Sequence, residues 1–351
     1  MEIRSAQVTD LASIDQIYTE GLATALAGEG ATHPIRLWQM VTRTLSSLLP
    51  LSIPTDMLYV LEEKGKVMGF IQAESLSSSD NPVARNAVEA IRVLNLSLSS
   101  ELSGAGGGAL IDHLCGEALA RGASRIYVRI PDGHAVAESF KAHGFVRYAN
   151  DRVFFRHTAE PAPAAEQVPG LRPARRKDAL GLFTLYLATT PKVVSQMEAP
   201  DFEQWRALHL SERMSERVSE RVPRLGRRSS RSLVVERGGE IVGWLGVEPG
   251  PPSRPHTISM MAKADASPKG ELQELLLARA LADLGAHPGA VWCNVRNYDT
   301  VTTRVLQDAG FEALAGQDLL VRELRVKVAA AVRQTNKEKA MAPVFGSVIF
   351  P

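Results

Sequence analysis

Cysteine is nearly absent: Cys115 and Cys293 are the only two in 351 residues, one in each half of the chain. Two such distant residues build neither a disulfide framework nor a cysteine-based metal site. Charge imbalance is also lacking, with 40 Lys and Arg against 39 Asp and Glu and a net charge of +1. There is then no electrostatic case for nucleic acid or an anionic membrane as the main partner. No apolar run approaches the roughly 18 residues needed to span a bilayer, and no basic-plus-apolar leader opens the chain. The eight histidines are scattered without an H-x-x-x-H pair, which argues against a metal. No G-x-x-x-x-G-K-[ST] loop exists for a nucleoside triphosphate,. The expectation is a soluble, reducing, cytoplasmic protein, monomer or homodimer, with no metal, nucleic acid or membrane partner.

What is present is mostly present twice. Ile3-Arg4-Ser5-Ala6 is echoed by Leu171-Arg172-Pro173-Ala174, GKVMGFIQAE from Gly65 by GEIVGWLGVE from Gly239, and AHGF ending at Phe145 by DAGF ending at Phe311. Each echo comes about 170 residues later and in the same order, the mark of a duplicated domain. The Pro/Ala-rich stretch 158–170 between the copies reads as a linker. The expected organisation is a domain over 1–157, the linker 158–170, a second domain over 171–326 and a tail over 327–351.

Within a copy, a strand at 1–7 leads into helices at 9–26 and about 34–49. LYVLEEKGKVMGFIQAE alternates around a Lys-Gly turn and reads as a β-hairpin. IRVLNLSLS follows, with Ile91 out of phase and Leu94, Leu96 and Leu98 in period two. Leu110, Ile111, Leu114, Cys115, Ala118 and Leu119 then recur at helical spacing, giving a helix over 109–121 that ends at Gly122. A strand, a helix and a last strand complete a mixed α/β layer structure.

Before that helix stand Gly104, Ala105, Gly106, Gly107 and Gly108. Glycine is costly at a helix entrance because it loses the most backbone freedom on folding. The first N–H groups of a helix lack partners and carry partial positive charge, and glycine lets a phosphate approach them. The alternative is a flexible surface loop that is merely glycine-rich. A dinucleotide fingerprint is disfavoured, because G-x-G-x-x-G is not cleanly spaced and no acidic residue follows at the right distance.

The order of elements, with these motifs, resembles the GNAT acetyltransferase superfamily, in two tandem copies covering roughly 1–158 and 168–326. That family's loop is Q/R-x-x-G-x-G/A; here Gly106 and Gly108 match, with Ser103 at the leading position. KAHGF (141–145) is similar to its Y-x-K-x-G-F segment, with Phe140 in place of the tyrosine and Leu306 in the second copy. The resemblance implies an α+β mixed splayed sheet, acetyl-CoA as co-substrate and no metal. It implies a cofactor site at Leu98, Ser99, Ser103, Gly104, Ala105, Gly106, Gly107, Gly108 and Ala109, with backbone N–H near Leu98 and Ser99 polarising the thioester carbonyl. In the second copy Pro268 removes a donor, Leu272 replaces a small residue and Glu271 adds a carboxylate. The first copy is therefore expected to be the better CoA binder.

Acetyl transfer also needs a neutral amine and a departing thiolate. Glu74, Glu89 and His134 are the candidate bases, each also readable as a solvated surface residue. Tyr127 is a candidate acid, or a packed sheet residue. Both cysteines read as core. SERMSERVSERV (211–222) with PRLGRRSSR reads as a solvated helix entering a basic loop. Two functions follow: an acetyl-CoA-dependent N-acetyltransferase acting on a small-molecule or peptide amine, or a catalytically silent tandem module serving as CoA sensor or scaffold.

Overall fold

A computed structural model describes residues 1–26, 56–76, 90–99, 105–158, 168–206, 208–209, 231–250, 255–266, 269–285 and 289–324. Helix 34–49, Glu89, Ser103, Gly104, most of 158–170, Pro268, the 211–222 repeat and the tail lie outside the described residues. The first half runs β1 (Glu2–Ser5), α1 (Leu11–Leu26), β2 (Asp56–Glu63), β3 (Lys66–Leu76), β4 (Ala90–Leu98), α2 (Ala105–Ala120), β5 (Arg125–Pro131), α3 (Val136–Ala142) and β6 (Val146–Arg156). The second runs β7 (Leu171–Pro173), α4 (Ala179–Thr189), α5 (Lys192–Glu198), β8 (Arg231–Arg237), β9 (Glu240–Glu248), β10 (His256–Ala262), α6 (Glu271–Leu284), β11 (Val291–Arg296), α7 (Thr300–Asp308) and β12 (Glu312–Glu323). No helix among the described residues is long and apolar enough to cross a membrane.

The duplication is visible in side-chain detail. Arg4 grips Asp10 at 2.7 Å and Glu62 at 2.7 Å; Arg172 grips Asp178 at 2.7 Å and Glu236 at 2.6 Å. In both copies the aspartate also accepts a backbone N–H three residues before it, from Gln7 and Arg175. The same planar guanidinium fork thus ties the first strand to the following turn and to the second strand. Each hairpin also carries a one-residue irregularity, at Met68 in β3 and Val242 in β9. Their carbonyls accept the N–H of the residue just past the next strand, Ser99 and Lys263. Gly144 and Gly310, with φ of 80° and 78°, end α3 and α7 in the same left-handed turn, closed by Phe145 N–H to Phe140 and Phe311 N–H to Leu306,.

All twelve strands form one sheet in the order β1-β2-β3-β4-β5-β12-β6-β11-β10-β9-β8-β7. The sequence reading places two units packed over their open sheet edges. In the structure those edges are closed by exchange: β12 pairs with β5 from Gln317↔Pro131 to Glu323↔Arg125, and β6 pairs with β11. The two donated strands also pair with each other. Backbone hydrogen bonding therefore satisfies edges that side-chain packing alone would leave exposed.

One face of the first half packs on α2 and α3, through Leu110, Ile111, Leu114, Ile126, Val128, Phe140 and Phe145. The opposite face carries α1, through Ile14, Ile17 and Tyr18 on Val60 and Phe70. Residues of α4 and the 202–209 segment pack against both halves at once, with Leu182, Leu185, Tyr186 and Trp205 in one cluster with Leu76, Ala90, Tyr127 and Val321. Buried Glu198 stitches this layer: Arg296 pairs with it, and Tyr186 and Tyr148 donate to its carboxylate at 2.9 and 3.3 Å. Burial alone would raise the Glu198 carboxyl, but Arg296, His209 and the Tyr186 hydroxyl together hold it below its ordinary range,.

Candidate functional site

Strands β4 and β5 run parallel from Ala90↔Arg125 to Val93↔Val128, and their pairing ends there. At that level β4 carries one extra residue. Its register with β3 shifts between Gln72↔Asn95 and Ala73↔Val93, leaving Leu94 as a bulge. A bulge bends its strand and increases the local twist, so β4 turns from β5 and a gap opens beyond Val93. The signal was in the sequence: Ile91 out of phase with Leu96 and Leu98 is what one inserted residue produces. Reading Leu94 into the same period as Leu96 and Leu98 is corrected here, since the bulge falls on it.

Past the bulge, Gly69 lies opposite Leu98. The N–H of Ser99 is donated to the Met68 carbonyl at 2.8 Å, so it belongs to the sheet and cannot serve as an oxyanion donor. Alternation along an antiparallel strand then turns the Leu98 N–H the other way, toward the gap. The Leu98 side chain is held from two directions. A Cβ added to Gly69 would lie 2.7 Å from its Cδ2, and one added to Gly107 would lie 3.2 Å from its Cδ1.

The glycine cluster is not a loop ahead of the helix. Helix α2 begins at Ala105, so Gly106, Gly107 and Gly108 form its first turn and are buried. The physical reason is close packing. Gly107 rests on Leu98, and a Cβ on Gly108 would lie 2.6 Å from His143 Cε1 and 2.7 Å from Nε2. The space at Gly108 is held by an imidazole delivered from the end of α3. Between α2 and α3 an open groove of about 610 Å³ is lined by Gly108, Ala109, Asp112, Glu138, Ser139, Ala142 and His143. The end of β4 at Leu98, then Gly107, then Gly108 with the groove and His143 thus lie next to one another in that order.

The other candidates fall elsewhere. Glu74 on β3 pairs with Arg92 on β4 at 3.1 Å, and Arg92 also reaches the Leu208 carbonyl of the second half at 3.4 Å. His134 is exposed, and its Nδ1 accepts the N–H of Val136 at 3.2 Å, capping α3. Tyr127 is a packed sheet residue: its hydroxyl donates to the Glu198 carbonyl at 2.5 Å, and burial drives its acidity far down. Phe140 is buried edge-on to Phe145, with ring centroids 5.0 Å apart, and Leu306 is fully buried. Burial pushes the Cys115 thiol up to about 11 and that of Cys293 up to about 12, which keeps both in the inert thiol form.

The second half lacks this arrangement. Strand β10 pairs with β9 in unbroken register from Thr257↔Glu248 to Ala262↔Gly243, so it has no bulge. Leu272, which the loop motif sets at the position of Gly108, is the second residue of α6, the place that Gly106 holds in α2, and is buried in the core. Ala309 stands where it has His143. The entrance of α6 is covered by α7: a Cβ on Gly270 would meet Val301, Arg304 and Val305 within 3.1 Å, and Arg304 bonds to the Lys269 carbonyl.

No family model matches the chain, and no curated protein does. Solved structures do match over nearly its full length. A GCN5-related N-acetyltransferase from Sphaerobacter thermophilus superposes with a TM-score of 0.55 at 14% identity, covering 92% of this chain and 96% of that one. A tandem GNAT protein from the clavulanic acid biosynthesis pathway superposes with a TM-score of 0.52 at 16% identity, covering 92% and 98%. The gap between β4 and β5, the bulge that opens it and the helix starting beside it thus sit in a known architecture: the chain has the tandem GNAT fold.

Proposed function

We propose that this protein is an acyl-CoA-dependent N-acyltransferase, with acetyl-CoA as donor and a small-molecule or peptide amine as acceptor, and that its working site lies in the first half. The observation that carries this reading is the β4 bulge with Leu98 packed beside the glycine turn of α2, an arrangement found in the first half and not in the second, where β10 keeps its register with β9. A thioester carbonyl in the gap would meet the Leu98 N–H, a donor aimed where charge develops on the oxygen. The N–H groups of Ala105, Gly106 and Gly107, which precede the first intrahelical bond of a helix starting at Ala105, suit a diphosphate. Coenzyme A supplies an activated acyl group and a thiol leaving group of ordinary pKa about 8.5, which departs tolerably without an acid. That matters because Phe140 and Leu306 offer none. Asn95 and buried Gln72, hydrogen-bonded to each other at 2.9 Å on the face that carries α1, are polar groups beside the bulge. Soluble, cytoplasmic operation without a metal belongs to the same reading.

The single-site asymmetry makes the test quantitative. Calorimetric titration with acetyl-CoA is expected to find one site per chain, and thiol release against a panel of amines is expected to rise above the donor-only rate. Two equivalent sites would overturn the assignment to the first half. Binding without thiol release for any amine would favour the silent sensor or scaffold, which the missing acid supports.

A further inference from the structure

The glycine turn resembles a phosphate loop in its small residues, but Ser103 stands where a Gln or Arg leads that motif. A diphosphate seated there would have backbone donors and no cationic partner from the loop itself. The fold brings one from another element. Because Gly144 takes a left-handed turn at φ 80°, α3 stops at Ala142, and His143 projects over the first turn of α2. Its Nδ1 lies 2.7 Å from the Ser139 carbonyl; a carbonyl only accepts, so Nδ1 carries the proton and Nε2 is turned to the groove. Nε2 faces Asp112 Oδ2 at 3.5 Å and the bare Cα of Gly108. The imidazole is one-quarter exposed, open to the groove.

We propose that His143 is the cationic phosphate-contacting residue of the first-half acyl-CoA site, which rests on the acyltransferase reading above. With Nδ1–H given to Ser139, Nε2 is the nitrogen left to meet a phosphate, and it donates there when the ring carries both protons. The remaining charges around it are already placed. Arg322, from the exchanged strand β12, lies 3.8 Å from the other Asp112 oxygen, and Glu138 is paired with Lys141 at 2.8 Å on α3 itself. Asp112 is thereby bracketed by two basic groups, which limits its repulsion of a phosphate. The second half has no such pairing: Ala309 stands at the position of His143 and packs against that half's core.

The experiment is calorimetric titration of the full chain with acetyl-CoA, comparing wild type, His143→Ala and His143→Arg, with melting temperatures measured alongside. A hydrogen bond to a charged group sets the expected effect: His143→Ala binds about ten- to a hundredfold more weakly. His143→Arg retains wild-type affinity within about threefold because the cation is kept. The affinity of His143→Ala also falls less steeply with added salt than that of wild type. His143→Ala binding like wild type would overturn the role of His143 and leave the acyltransferase reading standing. Equal loss in His143→Ala and His143→Arg would overturn it too, showing that ring shape rather than charge matters. A wild-type chain that binds no acetyl-CoA would overturn the acyltransferase reading itself.

Discussion

In the first half the helix after the fourth strand begins on Ala105 and three glycines, with a histidine over the last of them; in the second, its counterpart begins on Glu271 and Leu272, and an alanine replaces the histidine. The halves otherwise repeat their structural devices closely: the Arg–Asp–Glu fork, the irregularity at Met68 and Val242, and the left-handed helix ends at Gly144 and Gly310. What differs is confined to the strand bulge and the helix entrance. The lesson is that duplication kept the parts that hold each sheet together in both copies, whereas the parts that open a ligand path occur in one.

The comparison breaks most completely if the halves are separated. Chains cut within 158–170 are expected to give a first half that does not reach a cooperative native state alone, because β5 loses β12 and β6 loses β11. Seven register pairs between β12 and β5 and six between β6 and β11 are lost together, which leaves two strand edges uncovered,. Circular dichroism and thermal melts of each half and of the recombined pair check this. Cooperative melting of the isolated first half would show that the exchange is dispensable.

A milder change converts the first site into the second. Gly108→Leu places a side chain where the His143 ring lies and is expected to cost about 1–3 kcal/mol through overpacking, with loss of acetyl-CoA binding. Adding His143→Ala removes the ring that the new side chain meets and places an alanine where the second half has Ala309. The double variant is expected to regain most of the melting temperature without regaining affinity. Recovery of both would mean that the groove between α2 and α3 is not used by the donor.

The smallest effects test what the halves share. Hydrogen bonds from Arg4 and Arg172 hold the Asp10 and Asp178 carboxyls below their ordinary range. A carboxyl depressed in the folded state contributes stability above its unfolded pKa, about 3.9, and loses it as pH falls through the folded value. Asp10→Asn and Asp178→Asn are each expected to cost about 1–2 kcal/mol at neutral pH and to flatten the fall of melting temperature below about pH 4. Sensitivity in only one variant would show that the two forks are not energetically equivalent.

Much of the fold was legible because it depends on local pattern. Period-two and helical spacing placed the hairpin, β4, α2 and β5, and the echoes of Arg4, Gly69 and Phe145 placed their counterparts. The site was legible only in part. The glycines of α2 stood out by their place before a helical stripe, Leu98 came from the family resemblance, and the phase break after Ile91 carried the bulge without being read as one. His143 was missed, because nothing in KAHGF says that a residue one turn from a core phenylalanine will lie against a glycine in another helix. Glu74, His134 and Tyr127 were candidates by residue type, and their partners Arg92, Val136 and Glu198 remove them from the gap.

The sequence by itself determined that one mixed α/β unit occurs twice, that its elements follow in a fixed order, and that the first copy carries the glycines. These are local properties, set by side-chain periodicity, turn residues and repeat. Tertiary structure decided which strand pairs with which: period-two spacing marks β6 and β12 as strands without naming a partner, so no local signal separates exchange from self-pairing. It also decided that Gly108 serves an imidazole as well as the groove, because that contact joins two helices whose approach is fixed only when both pack on the same face of the sheet.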